Sequence, residues 1–137
     1  MNMTINEFGQ NAGKVWQLLN EKGPLSETKL INFSLLKEWQ LRTALGWLAR
    51  ENKICRNGTM YKIGNTNLIS EIGVDAGKIW TVLSRKQNEI NISSLSRLAK
   101  INVNDAYTAI GWLAREDKID AKTVVNQKTS QLKVKLK

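Results

Sequence analysis

The chain has 137 residues, is 42% hydrophobic and carries a formal net charge of +9. It contains one cysteine, Cys55, and no histidine, which excludes an internal disulfide and the metal sites and catalytic triads that need histidine. No apolar run is long enough to cross a bilayer, and no signal-peptide pattern opens the chain. We therefore expect a cytoplasmic protein without a cofactor, a metal or a membrane partner. The basic excess favours an anionic partner such as nucleic acid, although a merely solvated basic surface would give the same charge.

A nine-residue stretch occurs twice in the chain. Residues 46–54 read GWLARENKI and residues 111–119 read GWLAREDKI, so a single position differs between them. The stretches begin 65 residues apart, and the similarity extends to their flanks, which indicates a duplicated unit. We predict two domains, residues 1–65 and 66–137. Each is near the lower size limit for an independent core, so the two should lean on each other.

Each copy is predicted to begin with an amphipathic helix. In the first copy, the capping-box pattern at Thr4–Glu7 starts the helix, and apolar residues at helical spacing continue to about Asn20. We expect Trp16, and Trp80 in the second copy, to lie in the core. Glycines recur within this helix, and each costs about 1 kcal/mol relative to alanine. We infer that another helix approaches closely at these positions, which are Gly9, Gly13, Gly73 and Gly77.

A short strand and a second helix are predicted next. Lys22–Pro24 ends the first helix, Leu25 forms a strand of one or two residues, and Ser26 caps the second helix. In the second copy, Ser93 or Ser94 is expected to be the corresponding cap.

The third helix is predicted from about Lys37 to Glu51, and its counterpart in the second copy begins at Asn102. The pattern then alternates, as in a strand. Residues 54–63 form a hairpin around Asn57-Gly58, which is a strong turn signal. The second hairpin is longer, with a loop near residues 126–130 and a last strand at residues 131–137.

Helix, short strand, helix, helix and hairpin is the order of a winged helix-turn-helix domain. The predicted fold class is therefore α+β, mostly helical, with two tandem copies of this domain. The sequence also resembles a small bacterial and archaeal family of winged helix-turn-helix domains of uncharacterised function. Residues 9–16 with 44–54, and residues 73–80 with 109–119, carry the resemblance. The resemblance implies possible DNA binding and brings no catalytic motif. The usual member of the family is a single domain that self-associates, so tandem copies in one chain imply a built-in pair.

The third helix is where such folds normally read DNA. Its predicted outer face carries polar residues that could reach base edges and arginines that could reach phosphate or guanine. If both third helices docked, they would lie about 34 Å apart, one duplex turn. Alternating lysines on the wings suit phosphate contact, although lysines also protect a sheet edge. The candidate nucleic-acid-binding residues are Gln40, Thr43, Arg50, Arg56, Lys62, Asn104, Thr108, Arg115, Lys133 and Lys135.

Trp47 and Trp112 lie at the flank of the buried stripe on the third helices. They could form a protein-contact hot spot or pack against the first helix or the neighbouring copy. The candidate inter-domain or partner contacts are therefore Gly9, Gly13, Trp47, Gly73, Gly77 and Trp112. We predict a protein that binds double-stranded DNA and regulates transcription, not an enzyme. The alternative is a protein-interaction module that does not bind DNA, with a protein partner or a second copy of itself.

Overall fold

The computed structural model describes residues 3–86, 88–125 and 130–137. Both copies show the same element order, which confirms the mostly helical α+β class and the two winged helix-turn-helix units. The first copy contains α1 (Met3–Lys22), β1 (Leu25–Ser26), α2 (Glu27–Ser34), α3 (Glu38–Arg50), β2 (Ile54–Asn57) and β3 (Met60–Ile63). The second contains α4 (Ile69–Ser84), β4 (Ile90–Asn91), α5 (Ile92–Ala99), α6 (Val103–Arg115), β5 (Ile119–Val125) and β6 (Ser130–Leu136).

Each wing is a three-stranded antiparallel sheet, in the order β1-β3-β2 or β4-β6-β5. In the first wing Asn57 pairs with Met60, so Asn57 ends the strand and the turn is Gly58-Thr59, with Gly58 at a φ of 63°. The strands of the second hairpin have seven residues each, against four in the first. Most of the loop predicted near residues 126–130 lies outside the described residues.

The predicted cap of the second helix is correct in the first copy and wrong in the second. Ser26 caps α2, as predicted, and its hydroxyl accepts the backbone N–H of Lys29 at 3.3 Å. The expected cap at Ser93 or Ser94 is wrong, because the side chain of Asn91 accepts the N–H of Ser94 at 2.9 Å. The short β4 strand leads directly into α5, so the helix begins earlier than the serines indicated.

Each copy completes the hydrophobic core of the other. Phe8, near the start of α1, is fully buried in the core of the second copy, together with Ala121 and Val134. Leu68 and Ile72, around the start of α4, are buried in the core of the first copy. Phe8 and Ile72 occupy equivalent positions in the repeat, so the exchange is close to symmetric. Folding of one copy is therefore coupled to the presence of the other.

The expectation that Trp16 and Trp80 lie in the core is wrong. Their exposed fractions are 37% and 45%, and each sits at the edge of the buried stripe of its helix. In α1 that stripe is narrow and consists of Ala12, Val15 and Leu19 beyond the exchanged Phe8. Since neighbouring residues on a helix differ by 100°, Trp16 turns partly to solvent when Val15 points inward.

Candidate nucleic-acid interface

The third helices of the two copies, α3 and α6, cross in direct backbone contact. A Cβ atom added at Gly46 would lie 1.8 Å from the carbonyl oxygen of Thr108. One added at Gly111 would lie 1.9 Å from the carbonyl oxygen of Thr43. Only glycine permits this approach. The expected separation of about 34 Å, one duplex turn, is therefore wrong for this arrangement, because the outer faces of the helices meet each other.

Polar contacts at both ends show that α3 and α6 run in the same direction. At their N-terminal ends, Asn104 Nδ2 donates to Glu38 Oε1 at 2.9 Å. At their C-terminal ends, Arg50 Nε donates to Glu116 Oε2 at 3.1 Å. The contacts of Gly46 with Thr108 and of Gly111 with Thr43 are reciprocal, so the two copies are related by an approximate twofold axis that passes between the helices.

The polar residues predicted to read base edges are buried between the copies or form hydrogen bonds with the backbone of their own helix or its cap. Thr43 is 0% exposed and Thr108 is also buried. Their hydroxyls donate to the backbone carbonyls of Gln40 and Asn104, at 2.9 and 3.1 Å. The side chain of Gln40 accepts the backbone N–H of Lys37 at 2.9 Å. These residues do not form a base-reading face while the helices are paired.

The arginines of the third helices join the two copies. Arg50 Nε lies 3.1 Å from Glu116 Oε2, and Arg115 Nε lies 3.0 Å from Glu51 Oε2. Both glutamates are largely buried, whereas the arginines are about half exposed. Each glutamate also has a lysine of its own copy at 3.5 Å, Lys53 beside Glu51 and Lys118 beside Glu116. A carboxylate in that position needs a cation, and here the arginines of the opposite copy share that role with these lysines.

Trp47 and Trp112 lie between the copies, which agrees with the interpretation that they pack against the first helix or the neighbouring copy. The guanidinium carbon of Arg115 lies 5.8 Å from the Trp47 ring, and that of Arg50 lies 5.7 Å from the Trp112 ring. Each tryptophan also packs against both hydrophobic cores. A cation held over each ring adds to the attraction between the copies.

The four helix glycines divide into two kinds. A Cβ atom at Gly9 would lie 3.1 Å from the Trp47 ring, and one at Gly73 would lie 3.8 Å from the Trp112 ring. These two glycines make room for a tryptophan of their own copy. Within the part of the chain that the structure describes, no atom beyond the helix's own neighbouring backbone lies within 4 Å of a Cβ placed at Gly13 or Gly77, so no other described helix approaches them closely.

Arg56 belongs to the inner face of the first wing, not to its outer face. In the strand register it stands opposite Tyr61, which is buried. Its Nη2 lies 2.6 Å from Glu71 Oε2 on α4, and this hydrogen bond raises the pKa of Arg56. Burial raises the pKa of Tyr61. The predicted phosphate contact by Arg56 does not fit this geometry, whereas Lys62, on the opposite face of β3, is exposed.

The second wing places lysines together on its outer face. Lys133 stands opposite Lys122 across the two strands, and Lys135 stands two residues further along β6. The alternate residues of β6, Leu132 and Val134, are buried as predicted. Lys122 was missed from the sequence, because its pairing with Lys133 depends on a strand register that the long loop left undetermined.

The carboxylates of Asp120 and Glu89 accompany this lysine cluster. Asp120 stands opposite Lys135 in the strand register. Glu89 Oε1 lies 2.8 Å from Lys122 Nζ. The hydrogen bond from Lys122, with the nearby charges of Lys133 and Lys135, lowers the pKa of Glu89. The cluster of Lys122, Lys133 and Lys135 therefore keeps a positive excess at neutral pH.

The described residues contain no cluster of cysteine, aspartate and glutamate that could bind a metal ion. Among the helices described here, none is both long and apolar enough to cross a membrane.

A family model described as "Winged helix-turn-helix domain (DUF2582)" matches residues 3–64 and again residues 65–136. The resemblance inferred from the sequence is thereby confirmed. No curated protein and no solved structure matches the chain. The family description makes DNA binding possible without assigning a function. Since the two matches together cover nearly the whole chain, it belongs to this winged helix-turn-helix family, as two tandem domains.

Proposed function

We propose that the protein binds double-stranded DNA and regulates transcription, and that it holds the duplex by its phosphates. The observation that carries the proposal is the lysine cluster on the outer face of the second wing, formed by Lys122, Lys133 and Lys135. The net charge of +9 supports an anionic partner of this kind.

The cluster is costly in the absence of an anion. Lys122 and Lys133 are directly opposite each other across an antiparallel pair, where like charges destabilise a sheet. Glu89 offsets the charge of one lysine, and Asp120 stands opposite Lys135. The three lysines therefore keep an excess of one positive charge over these two carboxylates. A polyanion such as a DNA backbone would neutralise the remaining charge and release counterions, which is the usual source of affinity for duplex DNA.

The paired third helices change the expected mode of recognition. Because Thr43 and Thr108 are buried between the copies, we do not assign direct base reading to α3 or α6. Phosphate contacts give affinity without sequence information. Any preference for a sequence would then come from the shape and deformability of the duplex.

A salt-dependent titration tests this proposal. Anisotropy of a labelled duplex would be measured over a range of salt concentrations for the wild type and for the combined variant Lys122→Gln, Lys133→Gln, Lys135→Gln. Each phosphate contact contributes about 0.9 to the slope of log affinity against log salt. Because Lys122 is engaged with Glu89, the variant should lose roughly 1–2 from the slope, mainly through Lys133 and Lys135.

Two matched controls accompany the variant. The combination Lys78→Gln, Lys86→Gln, Lys100→Gln removes the same charge from exposed positions elsewhere in the second copy and should retain the wild-type slope. Arg50→Ala with Arg115→Ala should also retain it, because these arginines are engaged with Glu116 and Glu51. Absence of binding at low salt, or equal losses in the wing and control variants, would contradict the proposal.

The alternative function is a protein-interaction module without DNA binding. The burial of the outer faces of α3 and α6 favours it, since the surface that such folds use for DNA is occupied by the other copy. Recovery from the native host of one stoichiometric protein partner, resistant to nuclease, would favour this alternative if the DNA titration gave no binding.

A further inference from the structure

We propose that the first copy carries a docking site for an acidic amphipathic helix of another protein, in the groove between α1 and α2. This inference goes beyond DNA binding and does not depend on it. It rests on three features of this surface: an open apolar groove, an exposed leucine in a strained backbone conformation, and a rim of lysines.

The groove has a volume of about 210 Å³, enough to admit apolar side chains of a partner. Its apolar part consists of Leu18 of α1, which is half buried, and Phe33 of α2, which is 49% exposed. Phe33 is not needed by the core of the first copy, where Leu30 already fills the inner face of α2. The exposed ring is therefore free to contact another molecule.

Leu35, at the end of α2, follows the groove residues Phe33 and Ser34 in the chain and is a second exposed apolar side chain. It is 88% exposed and adopts a left-handed conformation with a φ of 61°. This conformation costs a residue with a Cβ atom on the order of 1–2 kcal/mol, and glycine or asparagine adopts it more easily. The leucine side chain contributes to neither the core nor the turn. Contact with a partner gives a reason for an exposed apolar residue at a strained position.

The charges around this surface select the partner. Lys22 Nζ lies 4.5 Å from the centre of the Phe33 ring. Glu21 is the carboxylate that lines the groove, and its side chain accepts a hydrogen bond from Gln17. A helix whose apolar face enters the groove would place acidic residues at its flanks against the lysine rim. That rim is formed by Lys14, which lines the groove, by Lys22, and by Lys29, which lies one turn before Phe33 on α2; all three are exposed.

The second copy lacks this combination and serves as an internal reference. Leu98 stands in place of Phe33 and is 46% exposed, but Lys100 stands in place of Leu35. Both turn residues have the same left-handed conformation, so the fold does not demand leucine there. The apolar surface is therefore a property of the first copy and not of the repeat.

An acidic peptide fits better than the other anionic partners of a basic surface. Bases of single-stranded nucleic acid stack on aromatic rings, and the most exposed apolar residue here, Leu35, is aliphatic. Attachment to a bilayer needs a continuous apolar helix face, whereas two side chains beside a groove suit the anchor residues of a docked helix.

Peptide selection on the full-length chain tests the proposal. Random 16-residue peptides displayed on phage would be selected against the wild type, and the winners synthesised for anisotropy measurements. The expected winners are net negative, with apolar residues at helical spacing. Phe33→Ser and Leu35→Asn should each weaken their binding by about tenfold or more, as loss of a hot-spot contact does. The matched change in the second copy, Leu98→Ser, should leave binding unchanged.

Leu35→Asn also separates docking from folding. Asparagine tolerates the left-handed conformation, so this variant should melt at the same temperature as the wild type or higher while it loses the peptide. Winners without an acidic excess, or unaffected by Phe33→Ser and Leu35→Asn, would overturn the proposal. It would equally be overturned if these variants left peptide binding intact and reduced binding to a single-stranded oligonucleotide or to phosphatidylglycerol vesicles.

Discussion

The crossing of α3 and α6 has two sides, here called flanks, which are equivalent in the repeat but are lined by different kinds of side chain. On one flank Arg42 is the central side chain, and on the other the equivalent residue is Tyr107. The first is a charged flank, in which arginines of the first copy meet acids of the second. The second is an aromatic flank, in which Tyr107 lies against Trp39 with ring centroids 5.8 Å apart.

The charged flank is held by ion pairs around a small cleft. Arg42 Nε lies 3.1 Å from Glu27 Oε1, but its N–H does not point at that oxygen, and Nη2 forms the hydrogen bond to this carboxylate at 3.3 Å. Arg42 Nη1 lies 3.8 Å from Asp105 of the other copy. A cavity of about 20 Å³ remains between these groups, which is room for roughly one water molecule. Packing here is incomplete, and the charges specify which surfaces face each other.

The aromatic flank is closed by Phe8, the residue equivalent to Ile72 on the charged flank. Phe8 is 1% exposed, whereas Ile72 is 7% exposed and borders the cleft of the charged flank. Buried apolar area is the main source of stability, and ion pairs at a partly buried surface contribute less. The comparison indicates that the aromatic flank provides more of the stability between the copies, and the charged flank more of the selectivity.

The largest effect is expected from Gly46→Ala, which separates both flanks at once. The added Cβ would lie 1.8 Å from a backbone carbonyl oxygen of α6, and neither backbone can yield without moving a helix. We expect a loss of about 3 kcal/mol or more in the free energy of unfolding, the upper part of the range for overpacking. Urea denaturation followed by fluorescence would measure it.

Gly13→Ala is the matched control for that change. Gly13 also lies within a helix, but among the described residues no atom beyond its own neighbouring backbone is within 4 Å of the added Cβ. The variant should gain about 1 kcal/mol from helix propensity alone. If Gly46→Ala proved as stable as Gly13→Ala, the third helices could not cross as described.

The next largest effect is expected from Phe8→Ala and Ile72→Ala, whose losses in the free energy of unfolding compare the two flanks directly. Truncation of a fully buried phenylalanine costs about 3–5 kcal/mol, and that of an isoleucine about 2–5. We expect Phe8→Ala to be the more costly, because Ile72 borders a cleft that is already imperfectly packed. Urea denaturation would rank the two variants.

Hydrogen exchange would show where each loss acts. Although Phe8 belongs to the first copy in sequence, Phe8→Ala should reduce amide protection at Ala121 and Val134 of the second copy, with which it shares a core. Protection lost only within the first copy would show that the cores are not exchanged.

The order of elements could be predicted from the sequence because helical and strand periodicity are local. The exchange of Phe8 could not, since an apolar residue on a helix face has the same pattern whichever core it enters. Gly46 illustrates the same limit for the candidate site: a glycine on an outer helix face permits close approach of DNA or of another helix. The positions of Arg56 and Lys122 could not be predicted because they depend on strand register, which places Arg56 on an inner face and Lys122 on an outer face.

The smallest effect concerns one acid on the charged flank. Burial, followed by the nearby charge of Asp105, raises the pKa of Asp75. A carboxyl group with a higher pKa in the folded protein binds its proton more tightly there, so its ionised form lowers stability at neutral pH. This cost disappears as the pH falls through the raised pKa towards the unfolded value of about 3.9.

Asp75→Asn should remove that cost and its pH dependence together. At pH 7 the variant should be more stable than the wild type, by less than about 1 kcal/mol because the group is partly solvated. At about pH 3, below the unfolded pKa, the two should converge. The fold already accepts asparagine at the equivalent position, Asn11, which is buried beside the aromatic flank. The reverse change, Asn11→Asp, should therefore destabilise the protein at neutral pH, and more strongly, since burial there is more complete. Melting temperatures of both variants at the two pH values would decide it: a stability difference for Asp75→Asn that did not change with pH would mean that its charge is not what distinguishes the flanks.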